Sequence, residues 1–295
     1  MSVADELLSP ASRWQRRRYP VTVGEHRTFV LDEGAGEPVV FLHGIPTQGF
    51  LWRDVAAVVA RDSRSLAPDL LGFGFADRPE GADYGPPAQA RFIKQVLDEL
   101  GIDRFALVAH DFGALVASDF ICRNPGLVTK LVLTNTSMWR EDWDGGRLTP
   151  FGLLRMRGVG ETAFRLARPF MLAQAFRLYT SDRARLTDET MQVYWHPFQD
   201  GYARVLLSLA REDPVSEDDF CRWRDTLAAF RGPSLVVWGG QDPTFRTNRG
   251  HAIANLLPGG HFELFEHANH FVPEDRPNAL GRLILAFIDG RYPPA

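Results

Sequence analysis

Cysteine is scarce in this chain, with only Cys122 and Cys221 among 295 residues. They lie far apart and form no CxxC pair, which excludes a disulfide scaffold; both read as small, reduced, buried thiols. No apolar run approaches the roughly 18–20 residues that cross a bilayer, so no membrane partner is expected. A basic excess is also missing. The 33 Lys and Arg stand against 37 Asp and Glu, a net charge of −4, and nothing recommends nucleic acid as a partner. Lysine itself occurs only at Lys94 and Lys130, and no chemistry follows from that. The opening MSVADELLSPASRWQRRRYP has no apolar core of the kind a signal peptide needs. With reduced thiols, this gives the expectation of a cytoplasmic protein. The Arg16–Arg17–Arg18 triplet reads as a solvated edge. There is no internal repeat and no P-loop, and Gly72-Phe-Gly-Phe-Ala76 lacks the third glycine of a dinucleotide fingerprint.

What is present is the ordinary mixture of a globular enzyme, 45% hydrophobic and 24% charged. Short apolar runs alternate with helical patterns, the signature of a mostly parallel sheet wrapped by helices. Tyr19–Val23 and Arg27–Asp32 read as an antiparallel pair, and Glu33-Gly-Ala-Gly36 as a hairpin turn. Pro38–Leu42, Ser65–Pro68, Phe105–Ala109, Lys130–Asn135, Ser234–Trp238 and Phe262–Phe265 read as the remaining strands. Helical periodicity marks Pro87–Leu100, Ala114–Arg123 and Asn278–Ile288. Between Ser137 and Phe230 the text is helical only: Glu161–Arg168, Met171–Tyr179, Asp188–Tyr194, Tyr202–Ala210 and Glu217–Ala229. Pro169 follows the first of these, and Thr187 and Ser216 are N-caps for the third and last. The chain therefore divides into a core, residues 1–136 and 231–295, and an inserted helical cap, 137–230. Aromatics of the cap suit the roof of an apolar pocket.

The chemistry begins at Phe105–Ala114, a strand running straight into a helix. Its centre, Ala109-His-Asp-Phe-Gly113, places small residues around an aspartate, as a sharp strand-to-helix turn requires when it exposes a nucleophile. Asp111 taken alone also reads as a helix cap. Its partners change the balance. His43-Gly-Ile-Pro46 follows an apolar strand where a backbone N–H is wanted for an oxyanion hole. Asp242 follows the strand ending at Trp238, and His270 follows the last strand. The order nucleophile, acid, histidine is that of the α/β-hydrolases. His267 and His270 stand three apart, but no acidic or cysteine ligand pattern around them supports a metal.

From about Tyr19 to Ile288 the sequence resembles the α/β-hydrolase superfamily. Within it, His43-Gly-Ile-Pro-Thr-Gln-Gly-Phe-Leu-Trp-Arg53 and Asp69-Leu-Leu-Gly-Phe-Gly-Phe-Ala-Asp-Arg-Pro79 are most similar to haloalkane dehalogenases. An aspartate nucleophile is shared by these and by epoxide hydrolases. The resemblance implies an eight-stranded, mostly parallel sheet with a helical cap. It implies Asp111 as nucleophile, His270 as base, Asp242 as its orienting acid, and the amides of Ile45 and Phe112 as oxyanion donors. Asn135, ending its strand, matches the dehalogenase branch whose acid comes late in the chain. The implied activity is hydrolysis of a carbon–halogen bond in a small apolar substrate through an alkyl-aspartyl ester, without cofactor or metal. Epoxide hydrolysis, another cofactor-free reaction, or a receptor use of the same pocket are the alternatives. The chain departs from the dehalogenase pattern at Phe112, where a tryptophan usually holds the leaving halide, and at Ile45, where another branch has asparagine. Trp139, Trp143 and Trp195 are then the candidate halide donors of the cap; Tyr179, Tyr194 and Tyr202 are the candidate donors to an epoxide oxygen. A monomer or weak homodimer is expected.

Overall fold

Apolar strands that are hydrophobic on both faces need cover on both sides, and the architecture follows from that need. A computed structural model describes residues 9–143, 154–212 and 215–292. Eight strands form one sheet: β1 (Arg18–Val23), β2 (His26–Gly34), β3 (Pro38–Leu42), β4 (Arg64–Pro68), β5 (Phe105–His110), β6 (Val128–Thr134), β7 (Ser234–Gly239) and β8 (His261–Phe265). Their order is β1-β2-β4-β3-β5-β6-β7-β8. Only β2 with β1 and with β4 is antiparallel; β4 through β8 run parallel.

Alternation along the central strands sends side chains to two cores. Val40, Leu42, Leu107, Ala109, Leu131, Leu133, Val236 and Trp238 face one. Val39, Phe41, Ala106, Val108, Val132, Leu235 and Val237 face the other. The described helices are α1 (Pro10–Arg17), α2 (Arg53–Val59), α3 (Pro86–Glu99), α4 (Phe112–Arg123), α5 (Val159–Leu166), α6 (Pro169–Leu178), α7 (Asp188–Trp195), α8 (Tyr202–Glu212), α9 (Glu217–Ala229), α10 (Thr247–Leu256), α11 (Val272–Asp275) and α12 (Pro277–Ile288). Helices α3, α4, α9 and α10 cover the first core, and α2 and α12 the second. Among the described residues no helix is long and apolar enough to cross a membrane.

Every described regular element between β6 and β7 is helical, as the sequence pattern predicts. Thr187 and Ser216 do cap α7 and α9, accepting from the amides of Thr190 and Asp219. Pro169 has a second role. Besides following α5 it opens α6, where its missing N–H is not needed.

Three expectations need correction. The Arg16–Arg17–Arg18 triplet is not a solvated edge throughout: Arg16 is exposed, but Arg17 pairs with Glu33 at 2.7 Å and Arg18 lies over the Trp14 and Phe75 rings. Gly34–Gly36 is not a hairpin turn, because β3 pairs with β4 and β5 and never with β2, which instead pairs antiparallel with β4. Tight glycine turns signal a reversal, but strand pairing decides what lies beside what. Cys221 is exposed and Cys122 half-buried, so neither is a core thiol.

Candidate active site

Parallel strands put all their carboxyl ends on one edge, and five consecutive sheet neighbours deliver the site there. β3 leads into His43-Gly44-Ile45, β5 into Asp111, β6 into Asn135, β7 into Asp242 and β8 into His270.

Asp111 occupies the turn between β5 and α4 with φ 53° and ψ −125°, a strained conformation for a residue with a side chain. The surroundings enforce it. A Cβ on Gly113 would lie 2.5 Å from the His43 carbonyl, so only glycine lets α4 start this close to β3. A Cβ on Gly44 would lie 2.3 Å from Asp111 Oδ1. We therefore expect Gly44→Ala to abolish turnover while leaving the fold intact, since the intrusion is local. Retained activity with an unchanged circular dichroism spectrum would show that the loop relaxes.

The two oxygens of Asp111 have different neighbours. Oδ1 accepts from the Ile45 amide at 2.8 Å. The Phe112 amide also bonds to this carboxylate. Oδ2 faces His270 Nε2 at 3.7 Å. Burial holds the Asp111 carboxyl above its ordinary pKa, against the charge of His270 and the amides of Phe112 and Ile45, which pull it down.

His270 Nδ1 lies 2.9 Å from Asp242 Oδ2. Burial alone would depress the imidazole, but the Asp242 charge and hydrogen bond, helped by Asp111, hold its pKa above the ordinary value. The balance at Asp242 is the reverse. Burial pushes its carboxyl up, and His270, Asn135 and the Thr244 amide bring it below the usual range.

Asn135 is held at φ +36° just after β6. Its Nδ2 donates to Asp242 Oδ2 at 2.7 Å and its Oδ1 accepts from the Gly239 amide at 3.0 Å. That pair of hydrogen bonds fixes the Asp242 carboxylate beside His270. The Thr244 and Phe245 amides hold Asp242 Oδ1 at 2.7 and 3.1 Å. All five positions therefore converge: Asp111, His270 and Asp242 in series, with the amides of Ile45 and Phe112 on the first.

The donors proposed for the leaving group fare differently. The Trp143 indole donates to the Ser137 carbonyl at 2.9 Å and is occupied. Tyr194 is fully buried, and its hydroxyl donates to Glu274 inside a salt bridge rather than into a pocket. Trp139 lies under the Arg249 guanidinium, 4.8 Å from ring centre. Trp195 stacks on Phe198 at 5.3 Å. From there an aromatic wall runs down to Phe112, next to Asp111: Phe198 to Tyr202 at 5.0 Å, Tyr202 to Phe73 at 5.4 Å, and Phe73 to Phe112 at 6.0 Å. In this wall the Tyr202 hydroxyl is buried and has no hydrogen-bond partner among the described residues. Burial, and the charges of Asp111 and Asp69 against that of Arg78, keep it protonated far above its ordinary pKa. Tyr179 sets its ring edge against His270, 5.9 Å away. His267 is exposed while His270 is buried, so the two do not share a site.

Several supporting residues carry no motif. His43 Nε2 accepts from the Leu70 amide at 3.0 Å, which places its proton on Nδ1, 3.1 Å from the Gly44 carbonyl. Burial pushes this imidazole down to about 4, so it stays a neutral brace of the Gly44–Ile45 loop. His110 Nε2 lies 3.0 Å from the His270 carbonyl. Asp275 takes the amides of Ser181, Asp182 and Asn269 at 2.7, 2.9 and 2.6 Å, tying the helical insertion to the loop that carries His270. The signal for His43 lay in its position before Gly44; for Asp275 no sequence signal exists.

A strand-turn-helix nucleophile with a late acid and histidine defines the α/β-hydrolase class. The profile of the family described as alpha/beta hydrolase fold matches residues 37–277, and the chain belongs to that family. It is similar to a haloalkane dehalogenase of Mycobacterium marinum, 29% identical over 281 residues, 88% of each chain. It is similar also to a cis-3-alkyl-4-alkyloxetan-2-one decarboxylase of Xanthomonas campestris, 27% identical over 279 residues, covering 88% of this chain and 91% of the relative. Among solved structures, the haloalkane dehalogenase DbeA of Bradyrhizobium elkani superposes with a TM-score of 0.79 at 27% identity, over 92% of this chain and 97% of that one.

Proposed function

We propose that this protein is a hydrolase that attacks an sp³ carbon of a small apolar substrate with Asp111, forming an alkyl-aspartyl ester that water then cleaves. The carrying observation is the asymmetry of the Asp111 carboxylate: one oxygen fixed by the Ile45 amide, the other turned toward His270. A carboxylate is already ionised at neutral pH and needs no base to attack, unlike a serine. Oδ2 forms the new C–O bond as the leaving group departs with the bonding electrons. His270 then takes a proton from water, whose oxygen attacks the ester carbonyl. The developing negative charge falls on the oxygen already held by the Ile45 amide, with the Phe112 amide on the same carboxylate. Collapse releases the alcohol, protonated by His270, and restores Asp111. Asp242 keeps the imidazole oriented. The scheme calls on no metal or organic cofactor, and residues 137–230 act as its lid.

The similarity to haloalkane dehalogenases favours a carbon–halogen substrate. The Phe112 side chain supplies no N–H there and the Trp143 indole is occupied, so halide departure is poorly assisted in an apolar setting. Bromide and iodide are then better leaving groups than chloride. Tyr202 favours a second reading, an epoxide, because a buried neutral hydroxyl is suited to donate to an oxygen that leaves as an alkoxide. Halide release from 1-bromobutane and 1,2-dibromoethane, beside diol formation from styrene oxide, separates the two. If the leaving atom is halide, Phe112→Trp raises the rate, a charge-assisted hydrogen bond contributing roughly 1.5–3 kcal/mol. If it is oxygen, Tyr202→Phe lowers diol formation by about 10²-fold or more. No turnover in either assay, with no covalent adduct, overturns the proposal.

A further inference from the structure

Of the eight large hydrophobic side chains exposed among the described residues, six lie between positions 156 and 178: Met156, Val159, Leu166, Phe170, Met171 and Leu178. The most open are Phe170 at 66% and Leu178 at 67%. Helix α6 is apolar on two sides. Phe176 is buried, with Leu172 and Ala173 packed beside it on the second core. Phe170, Gln174 and Leu178, spaced four apart, line the opposite side with Met171.

Charge is segregated to the same stretch. Residues 154–180 hold five arginines and one acid, Glu161, a net +4 in a chain whose total is −4. That acid is paired with Arg211 at 2.7 Å. Arg157, Arg165, Arg168 and Arg177 are exposed. An open recess of about 520 Å³ lies beside Leu178, lined by Gln174, Arg177, Leu178 and Arg183.

We propose that the outer face of α5 and α6 docks on the surface of an anionic lipid bilayer. Protruding apolar side chains enter the boundary between head groups and acyl chains while the arginines engage phosphates, the division of labour of an interfacial helix. The recess offers two guanidinium groups to one head group. A second copy of this chain fits less well, because a two-fold contact would set this arginine-rich face against itself. The absence of a spanning helix does not bear on attachment of this kind.

The test is co-sedimentation of the full chain with vesicles, independent of substrate and therefore of the catalytic reading. Binding is expected to vesicles containing phosphatidylglycerol and not to pure phosphatidylcholine, and to weaken at high salt. Phe170→Ser with Leu178→Ser, and separately Arg165→Glu with Arg177→Glu, should each weaken it by about tenfold or more. Leu264→Ser, an exposed apolar residue elsewhere, should leave it unchanged. Melting temperatures establish that the variants fold. Equal binding to both vesicle types, or folded variants that bind like the parent, overturns the proposal. So does a concentration-dependent dimer abolished by the same substitutions, which assigns the face to self-association. Binding of inorganic phosphate without binding of vesicles also overturns it.

Discussion

Replacing His270 with glutamine is expected to halt the reaction after its first half, leaving an alkyl group on Asp111. Glutamine keeps a polar side chain beside Asp242 but cannot take a proton from water. Attack by Asp111 on carbon does not need that base. Hydrolysis of the ester does, and removal of such a base lowers its rate by about 10²–10⁴-fold. Intact mass after incubation with 1-bromobutane or styrene oxide should therefore show a stable adduct on His270→Gln and none on Asp111→Ala. Asp242→Ala should retain adduct formation and lose most of the hydrolysis. An unmodified His270→Gln protein, where the parent turns the same substrate over, would remove Asp111 from the nucleophile's role. The pH dependence has a definite sign. His270 works as a base only when neutral, so ester decay rises as pH rises through its pKa. In the resting enzyme that pKa is held up by Asp242 and Asp111. Esterification abolishes the Asp111 charge, so the midpoint for ester decay should lie below that of the resting imidazole, which single-turnover kinetics and NMR titration can compare.

The largest expected loss of stability lies away from the reacting atoms. Arg53 and Glu274 form a two-pronged ion pair at 2.6 and 2.8 Å, with side-chain exposures of 4% and 0%. Tyr194 of the helical insertion donates to the same carboxylate. Glu274→Ala leaves the guanidinium buried, with the Phe50 carbonyl at 3.1 Å and Asp54 at 3.7 Å as remaining partners. Breaking one side of such a pair costs about 3–5 kcal/mol, a large part of the 5–15 kcal/mol that holds a typical protein folded. Replacing both residues, Arg53→Met with Glu274→Leu, should recover most of the loss, because neither charge is then stranded. Urea unfolding of the three proteins measures this. A Glu274→Ala loss below about 1 kcal/mol would show that Arg53 reaches solvent or finds another acceptor. Since α11 begins two residues after His270 and carries Glu274, the single variant should also lose activity more than a remote change of equal cost.

Much of the fold was legible because its rules are local. Alternating apolar strands, the proline-opened and serine- or threonine-capped helices, and the small residues around Asp111 all act within a few positions of one another. The order of Asp111, Asp242 and His270 was legible for a related reason. Each follows a strand end, and parallel strands carry their ends to one edge. The Gly34–Gly36 turn misled because a reversal does not name the strand's neighbour.

By itself, then, the sequence determined the sheet-and-helix rhythm, the strained turn at Asp111 and the strand ends that carry the site. Tertiary structure alone decided which polar groups remain available there. Trp143, Tyr194 and Tyr202 are equivalent in composition as donors. The first finds the Ser137 carbonyl, the second finds Glu274 across 80 residues, and the third finds no partner among the described residues. A hydrogen bond requires its partner within about 3 Å and in line, and long-range packing sets that distance.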